Sequence, residues 1–334
     1  MSDVWTIKAA LDWTVGYLER KGDENPRISA QWLLSEATGL SRIELYANFD
    51  QPLSLDERDV LRGFVARRGA GEPLQYITGE VGFRHITVQV RPGVLIPRPE
   101  TEVLVSEALS LLPPAPKRVA ADAWAEEALE APLSEAAADS ADERDASEDA
   151  PDAQVPAPEL LVADLCTGSG CIACSIAFEH PLAHVVATDI APEAVALAGD
   201  NARALGLDER VEVLAGDLGE CVPSCMIGAL DLVVSNPPYV PTAVLADIPR
   251  EVADFEPELA LDGGSDGLDV LRRLLPWCGA ALKPGGAFAF ELHEGHLDEA
   301  AALAREAGFQ DVRIVRDLAQ RPRVLTARKA DACS

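Results

Sequence analysis

Asn236-Pro237-Pro238-Tyr239 follows directly on the strand-like run 231–235. Two consecutive prolines fix φ and remove two backbone N–H groups. The corner therefore offers acceptors, the Asn236 side-chain oxygen and the Pro237 carbonyl, with no donor beside them. Such a corner fits a planar NH2 group with two protons to give, and Tyr239 supplies a flat face for an amide or a base. An amide or aromatic amine is a poor nucleophile because its lone pair is delocalised. Holding both N–H bonds on fixed acceptors favours the geometry in which that lone pair points at an electrophile. The sulfonium methyl of S-adenosylmethionine is one such electrophile. No strong general base is then required, because the proton leaves late from an alkylated nitrogen. A dehydrogenase would want an acid/base His or Lys here, and none of the five His stands at this strand end. The plain alternative is a rigid turn between strand and helix.

A second chemical signal lies upstream. Cys166, Thr167, Gly168, Ser169 and Gly170 connect an apolar run to a helical one. A Gly-rich turn of this kind lets backbone N–H groups approach a ligand where open α/β sheets bind cofactors. Asp189 closes the next apolar run, where a carboxylate can accept from both hydroxyls of a ribose. Taken alone, Gly168-x-Gly170-x-x-Ala173 introduces a nicotinamide dinucleotide site equally well. Asp217 and Leu218, after a third run, are placed for an adenine, the Asp accepting from its amine and the Leu covering a face; an ordinary loop Asp is the alternative.

The elements that must position these residues are legible in outline. From Trp5 to about Arg68 apolar residues recur at helical spacing (Leu11, Val15, Leu18; Ile28, Trp32, Leu33), broken at Asn25-Pro26 and Gln51-Pro52, which predicts about four helices. Residues 74–96 alternate β-branched and aromatic residues with polar ones, predicting a hairpin with Thr78-Gly79 as its turn. From Glu159 onward, apolar runs at 160–165, 184–188, 211–214, 230–234, 287–292, 312–315 and 324–327 alternate with helical stretches. Their continuous apolar character predicts a parallel sheet covered on both faces, with the last two strands antiparallel at one edge. Residues 115–158 carry 12 acidic against 3 basic residues and few large apolar ones. This composition predicts a disordered acidic insertion, with a short helix around 124–133.

At this point the chain resembles the HemK/PrmC-type protein-glutamine methyltransferases that modify class I peptide chain release factors. The resemblance is carried by Gln75-Tyr76-Ile77-x-Gly79 with Phe83, Leu95-Ile96-Pro97-Arg98-Pro99-Glu100-Thr101-Glu102, the Gly loop, Asp189 and Asn236 to Tyr239. It continues through Phe255-Glu256-Pro257, Leu261-x-Gly263-Gly264-x-x-Gly267, and Arg316-Asp317 with Arg323. Asn-Pro-Pro-Tyr alone is shared with enzymes that methylate adenine or guanine amino groups. The Ile-Pro-Arg-Pro-Glu-Thr-Glu segment and the helical N-terminal part narrow the likeness to protein glutamine.

The resemblance implies a Rossmann-like class I methyltransferase with a seven-stranded sheet. In it, 1–73 is a helical substrate-recognition domain, 74–96 a β-hairpin linker, and 97–334 the methyltransferase domain, interrupted at about 115–158. It implies methyl transfer from S-adenosylmethionine to the side-chain nitrogen of the glutamine in a Gly-Gly-Gln motif. The alternative is a ribosomal-protein glutamine or a nucleic-acid exocyclic amino group. By position, Cys166, Thr167, Gly168, Ser169, Gly170, Asp189, Asp217, Leu218 and Asn236 bind the cofactor, and Asn236, Pro237, Pro238 and Tyr239 hold the glutamine amide. Arg98, Pro99, Glu100 and Thr101 line the cofactor end of the pocket or pack structurally. Cys166 departs from the family, standing where many methyltransferases have the first Gly of the loop, which implies a position that does not need positive φ.

Composition excludes other classes. The 334 residues are 48% apolar with a net charge of −28, which disfavours direct nucleic-acid binding, because phosphate contacts draw on clusters of Lys and Arg. No run approaches a membrane span, the first 25 residues are charged throughout, and seven Cys suit a reducing cytoplasm. No metal is expected: Cys171 and Cys174 suit helix packing, while Glu291, His293, Glu294 and His296 suit a polar pocket rim. The glycines at 263, 264 and 267 suggest a lid near the substrate rather than a calcium loop.

Overall fold

The computed structural model describes residues 5–115 and 159–331. Residues 116–158, on which the expected acidic insertion at about 115–158 and the short helix expected around 124–133 fall, lie outside them.

Four helices open the chain: α1 (Ile7–Lys21), α2 (Pro26–Thr38), α3 (Arg42–Ala47) and α4 (Leu55–Gly69). Their starts are encoded locally. Thr6 caps α1, and Ser41 with Glu44 and Ser54 with Glu57 form reciprocal capping boxes on α3 and α4, which satisfies N–H groups a helix start leaves without partners. The helices bury Ile7, Leu11, Leu18, Leu33, Leu34 and Leu45 in a core of their own.

The hairpin is shorter than the sequence pattern predicts. Residues 74–78 form α5 (Leu74–Thr78), and Gly79 caps it in the left-handed conformation at φ +81. Thr78-Gly79 is thus a helix stop and not the hairpin turn. The strands are β1 (Glu80–Phe83) and β2 (Ile86–Gln89), joined at Arg84-His85. Arg84 adopts φ +52 without being glycine. Its side chain is held by Glu179 at 2.6 and 2.7 Å and by Ser106 at 2.6 Å, contacts that offset the local strain.

After α6 (Thr101–Leu111), the chain alternates β3 (Leu160–Leu165), α7 (Cys171–Glu179), β4 (Ala183–Asp189), α8 (Pro192–Ala204), β5 (Val211–Ala215) and β6 (Leu230–Ser235). It then runs through α9 (Arg250–Phe255), α10 (Asp269–Ala281), β7 (Leu282–Glu291), α11 (Leu297–Glu306), β8 (Gln310–Arg316) and β9 (Pro322–Arg328). The seven-stranded sheet has the order β5-β4-β3-β6-β7-β9-β8. Strands β3 to β7 pair in parallel, and β9 pairs antiparallel with both β7 and β8. This is the seven-stranded Rossmann-like sheet that the sequence resemblance implies. One face is covered by α6, α7, the end of α8 and the hairpin, the other by α10 and α11. The inner parallel strands β3, β4 and β6 are buried on both sides, which is why their runs read as apolar segments, while the edge strand β5 exposes Glu212 and Ala215. Strand order reverses between β3 and β6, so a crevice opens beyond their C-terminal ends. Among the described residues no helix is long and apolar enough to cross a membrane.

Candidate functional site

A cavity of about 230 Å³ occupies that crevice. Its floor is the loop after β3. Buried Asp164, near the end of β3, accepts from Thr167 Oγ1 at 2.6 Å and from the Ala173 N–H at 3.1 Å. Burial pushes its carboxyl up to about 7, against the pull of those two bonds. The loop is braced from the other side by Asn201, whose Nδ2 donates to the Ser169 carbonyl at 2.8 Å and to that of Gln89 at 3.0 Å.

Gly168 and Gly170 take φ +57 and +79, and Cys166 takes φ +60. The sequence expectation for Cys166 is therefore corrected: the position does need the left-handed region, and a non-glycine residue occupies it. Register holds it there, since Thr167 N–H donates to the Thr188 carbonyl at 2.9 Å and Gly170 N–H to that of Thr167 at 2.9 Å. Gly170 has a further constraint, because a Cβ would stand 3.0 Å from that of Ala198 on α8.

Asp189, at the end of β4, accepts from Gly168 N–H on Oδ2 at 2.9 Å and from Ala191 N–H on Oδ1 at 3.0 Å. Burial raises its pKa, and these bonds lower it. Each oxygen keeps a second lone pair for a ligand. Asp217 pairs with Arg273 at 2.6 Å, and both line the cavity beside Leu218. Leu218 sits at φ +51 with its carbonyl accepting from Thr188 Oγ1 at 2.7 Å.

Ser235 Oγ donates to the Leu165 carbonyl at 2.6 Å, locking the end of β6 to that of β3 immediately before the proline corner. Asn236 and Pro238 line the main cavity. A smaller cavity of about 100 Å³ lies beyond, lined by Asn236, Pro237 and Tyr239. Leu95, Arg98, Asn236 and Ala260 border both, so Asn236 stands where the two spaces meet. Burial pushes the Tyr239 phenol up to about 12, so its OH is protonated at neutral pH and the ring serves as an uncharged face.

The glycine-rich segment expected as a lid is stitched to this corner instead. Val240 N–H donates to the Leu261 carbonyl at 2.9 Å and Gly263 N–H to that of Val240 at 2.8 Å. A Cβ on Gly263 would stand 2.6 Å from Tyr239 Cα, and one on Gly267 2.4 Å from the Tyr239 carbonyl oxygen.

Of the four residues from 98 to 101, Arg98 and Thr101 line the main cavity, whereas Pro99 and Glu100 line neither. Pro99 and Glu100 precede α6, which starts at Thr101, and the Glu100 charge still raises the pKa of Tyr239 and of Glu291. Three acidic or basic partners escape sequence reasoning as site residues: Glu256, which clamps Arg98; Arg273, which clamps Asp217; and Glu291, whose carboxyl is pulled down by its neighbours Thr101 and Asn236. Glu291 lies buried at the strand end and not on the rim. The only signal for it is its place as the last residue of an apolar strand. Cys171 and Cys174 are buried on α7, and burial pushes both thiols up, Cys174 to about 12.

Comparison with known proteins adds a second line. The family description "PrmC N-terminal domain" matches residues 9–79, and "Methyltransferase small domain" matches 152–249. The chain is similar to a release factor glutamine methyltransferase of Geobacter sulfurreducens, 40% identical over 92% of this chain and 92% of that protein. Those of Moorella thermoacetica and Caulobacter vibrioides are 36% and 35% identical, over 96% of this chain and 98% and 96% of theirs.

Proposed function

The chain belongs to the release factor glutamine methyltransferases, and from that premise we propose that it methylates the side-chain nitrogen of the glutamine in the Gly-Gly-Gln motif of class I release factors. It is an S-adenosylmethionine-dependent enzyme. The observation that carries the finer reading is the place of Asn236, bordering the large cavity and the small one at once. An amide entering the small space meets its acceptor at the mouth of the cofactor space.

The donor and acceptor set of the large cavity fits that cofactor. Asp189 offers two oxygens with spare lone pairs to the ribose hydroxyls. Gly168 and Gly170 carry no side chain to obstruct the loop of Cys166, Thr167 and Ser169, while Asp217 and Leu218 flank an adenine. When bound, the cofactor supplies a methyl on a positively charged sulfur. The chain's own work is positioning. Asn236 Oδ1 and the Pro237 carbonyl accept the two amide protons, Pro238 keeps the corner rigid, and the Tyr239 ring covers one face. The nitrogen lone pair is thereby turned out of conjugation and toward the methyl. The displaced proton leaves to water or through the same acceptors, and no titrating base touches the nitrogen.

Substrate recognition belongs to residues 1–73 in this reading, with 74–96 as linker and 97–334 as the catalytic unit. Supporting it is a groove of about 310 Å³ on the helical domain, lined by Trp5, Trp13, Tyr17, Leu61 and Arg58. Trp13 stacks on Tyr17 at 5.3 Å yet stays 48% exposed. A protein partner also agrees with the net charge of −28, which repels polyphosphate, and action on a release factor entails a cytoplasmic location.

The test is incubation with labelled S-adenosylmethionine and a purified release factor, followed by mass mapping of the Gly-Gly-Gln peptide. Label on that glutamine is expected. Label on a ribosomal protein or a nucleic acid with none on the release factor would overturn the reading.

A further inference from the structure

Ser235 and Phe290 are register partners in the parallel pairing of β6 with β7, so Asn236 and Glu291 are each one residue beyond a paired position. Glu291 is 2% exposed, as is Thr101 at the start of α6. Asn236 Nδ2 donates to Thr101 Oγ1 at 3.3 Å, and both side chains stand close enough to the Glu291 carboxyl to pull its pKa down. Glu291 Oε2 is buried without a partner among the described residues. Glu291 borders neither cavity. It reaches the substrate space only through these two neighbours.

An ionised carboxylate accepts hydrogen bonds and cannot donate. Against Thr101 it takes the hydroxyl proton, which leaves Oγ1 as an acceptor. Against Asn236 it tolerates only the NH2 end. Both contacts therefore select the same orientation of the Asn236 amide, with Nδ2 toward Glu291 and Oδ1 free. The flipped amide would set Oδ1 against carboxylate oxygen in buried surroundings, where an unpaired polar contact is costly. It would also present an NH2 group to an incoming NH2 group.

We infer that Glu291 is a positioning residue for the amide corner: directly and through Thr101, it fixes the orientation in which Asn236 offers Oδ1 to the substrate nitrogen. The inference rests on the role given to Asn236 in the proposed function. Burial raises the Glu291 carboxyl to about 7, opposed by Thr101, Arg323 of β9 and Asn236, and reinforced by Glu100. Tyr239 and Cys171 are the other titratable groups it influences. Once protonated, Glu291 donates, Thr101 can turn its own proton to Asn236, and the orientation loses its bias. Turnover therefore falls as pH drops through about 7.

The experiment compares the full-length wild type with Glu291→Gln, Thr101→Val and Thr101→Ser between about pH 5.5 and 9. It reads kcat and KM for the release-factor glutamine, cofactor affinity, and hydrogen exchange of the ¹⁵N-labelled Asn236 side-chain amide. Glu291→Gln and Thr101→Val should lose about 10- to 100-fold in kcat with cofactor affinity within about threefold. Thr101→Ser should recover the rate, and the acid limb should vanish in Glu291→Gln, which cannot titrate. Wild-type kcat with an intact acid limb in Glu291→Gln would overturn the inference. So would a loss of rate matched by loss of cofactor binding in both Glu291→Gln and Thr101→Val. If the wild type itself transfers nothing to glutamine, the assigned function fails, and the amide decides the inference separately. Slow exchange in the wild type and fast exchange in Glu291→Gln support it, and equal exchange sinks it.

Discussion

Arg98 and Glu256, 158 positions apart in the chain, meet through one guanidinium nitrogen at 2.7 and 2.8 Å from the two carboxylate oxygens. The Glu256 side chain is 2% exposed and that of Arg98 35%, and Arg98 borders both cavities. The pair thus ties the segment before α6 to the segment after α9 across the mouth of the site.

Removing Arg98 leaves a buried carboxylate without its cation. Breaking a buried pair costs about 3–5 kcal/mol, and exposure of Arg98 reduces this to about 2–3 kcal/mol for Arg98→Ala. Burial already raises Glu256 above the ordinary carboxyl range, with Arg98 pulling it down. Without Arg98 it rises further and is neutralised more readily. The destabilisation should therefore shrink as pH falls from neutral, as read by urea unfolding at several pH values. A loss that stays constant with pH would mean Glu256 does not feel Arg98.

Cys166 at φ +60 carries a strain of roughly 1 kcal/mol that glycine would not. Glycine also gains freedom in the unfolded chain, which offsets about the same amount. Cys166→Gly should therefore melt close to the wild type and keep its cofactor affinity. Cys166→Val, branched at Cβ, should be destabilised by about 1–3 kcal/mol. Burial pushes the Cys166 thiol up to about 12, so alkylation at neutral pH should be slow. Equal stability of the Gly and Val variants would contradict the left-handed conformation.

Much of this architecture is legible in the sequence, because the information is local. Each parallel strand carries a short run of mostly apolar residues, each capping box is a Ser with a Glu three residues on, and the Asn236 corner is contiguous. What escapes is what tertiary contact decides. Arg84 turns the hairpin without a glycine because Glu179 and Ser106 hold its side chain. Gly79 is a turn residue in type but ends a helix in fact. Glu256 and Glu291 are ordinary carboxylates until folding sets them against Arg98 and Asn236. Cys166 takes a glycine conformation because its neighbours' hydrogen bonds impose it.

Asn236 and Asp189 should separate turnover from cofactor binding. On the proposed function Asn236→Ala deletes the acceptor for the substrate amide, so kcat should collapse while cofactor affinity holds. Asp189→Ala should weaken cofactor binding by about 1–3 kcal/mol for the lost charged hydrogen bonds. Because Asp189 also holds the Gly168 and Ala191 N–H groups, Asp189→Asn is the companion variant, and it should weaken binding with a smaller change in melting temperature. Isothermal titration with cofactor alongside single-turnover methyl transfer distinguishes the two sites. An Asn236→Ala variant that loses cofactor affinity as severely as turnover would show the corner to be misassigned.

Asp164 gives the fold a pH dependence of its own. Its carboxyl titrates near 7 when folded and at 3.8 as a free side chain. Between those values the folded chain holds a proton that the unfolded chain has released. Stability contributed by this residue therefore falls as pH rises from about 4 to about 7, by on the order of 2–4 kcal/mol. Asp164→Asn cannot titrate, and its carboxamide oxygen can still accept from Thr167 or Ala173. The difference in unfolding free energy between variant and wild type should move in favour of the variant from pH 5 to pH 8. Glu291 has a pKa raised into the same range, so the variant keeps part of the slope, and only the difference between the two proteins isolates Asp164. Denaturant unfolding at both pH values measures it, and parallel pH profiles would mean that the buried carboxyl is ionised throughout.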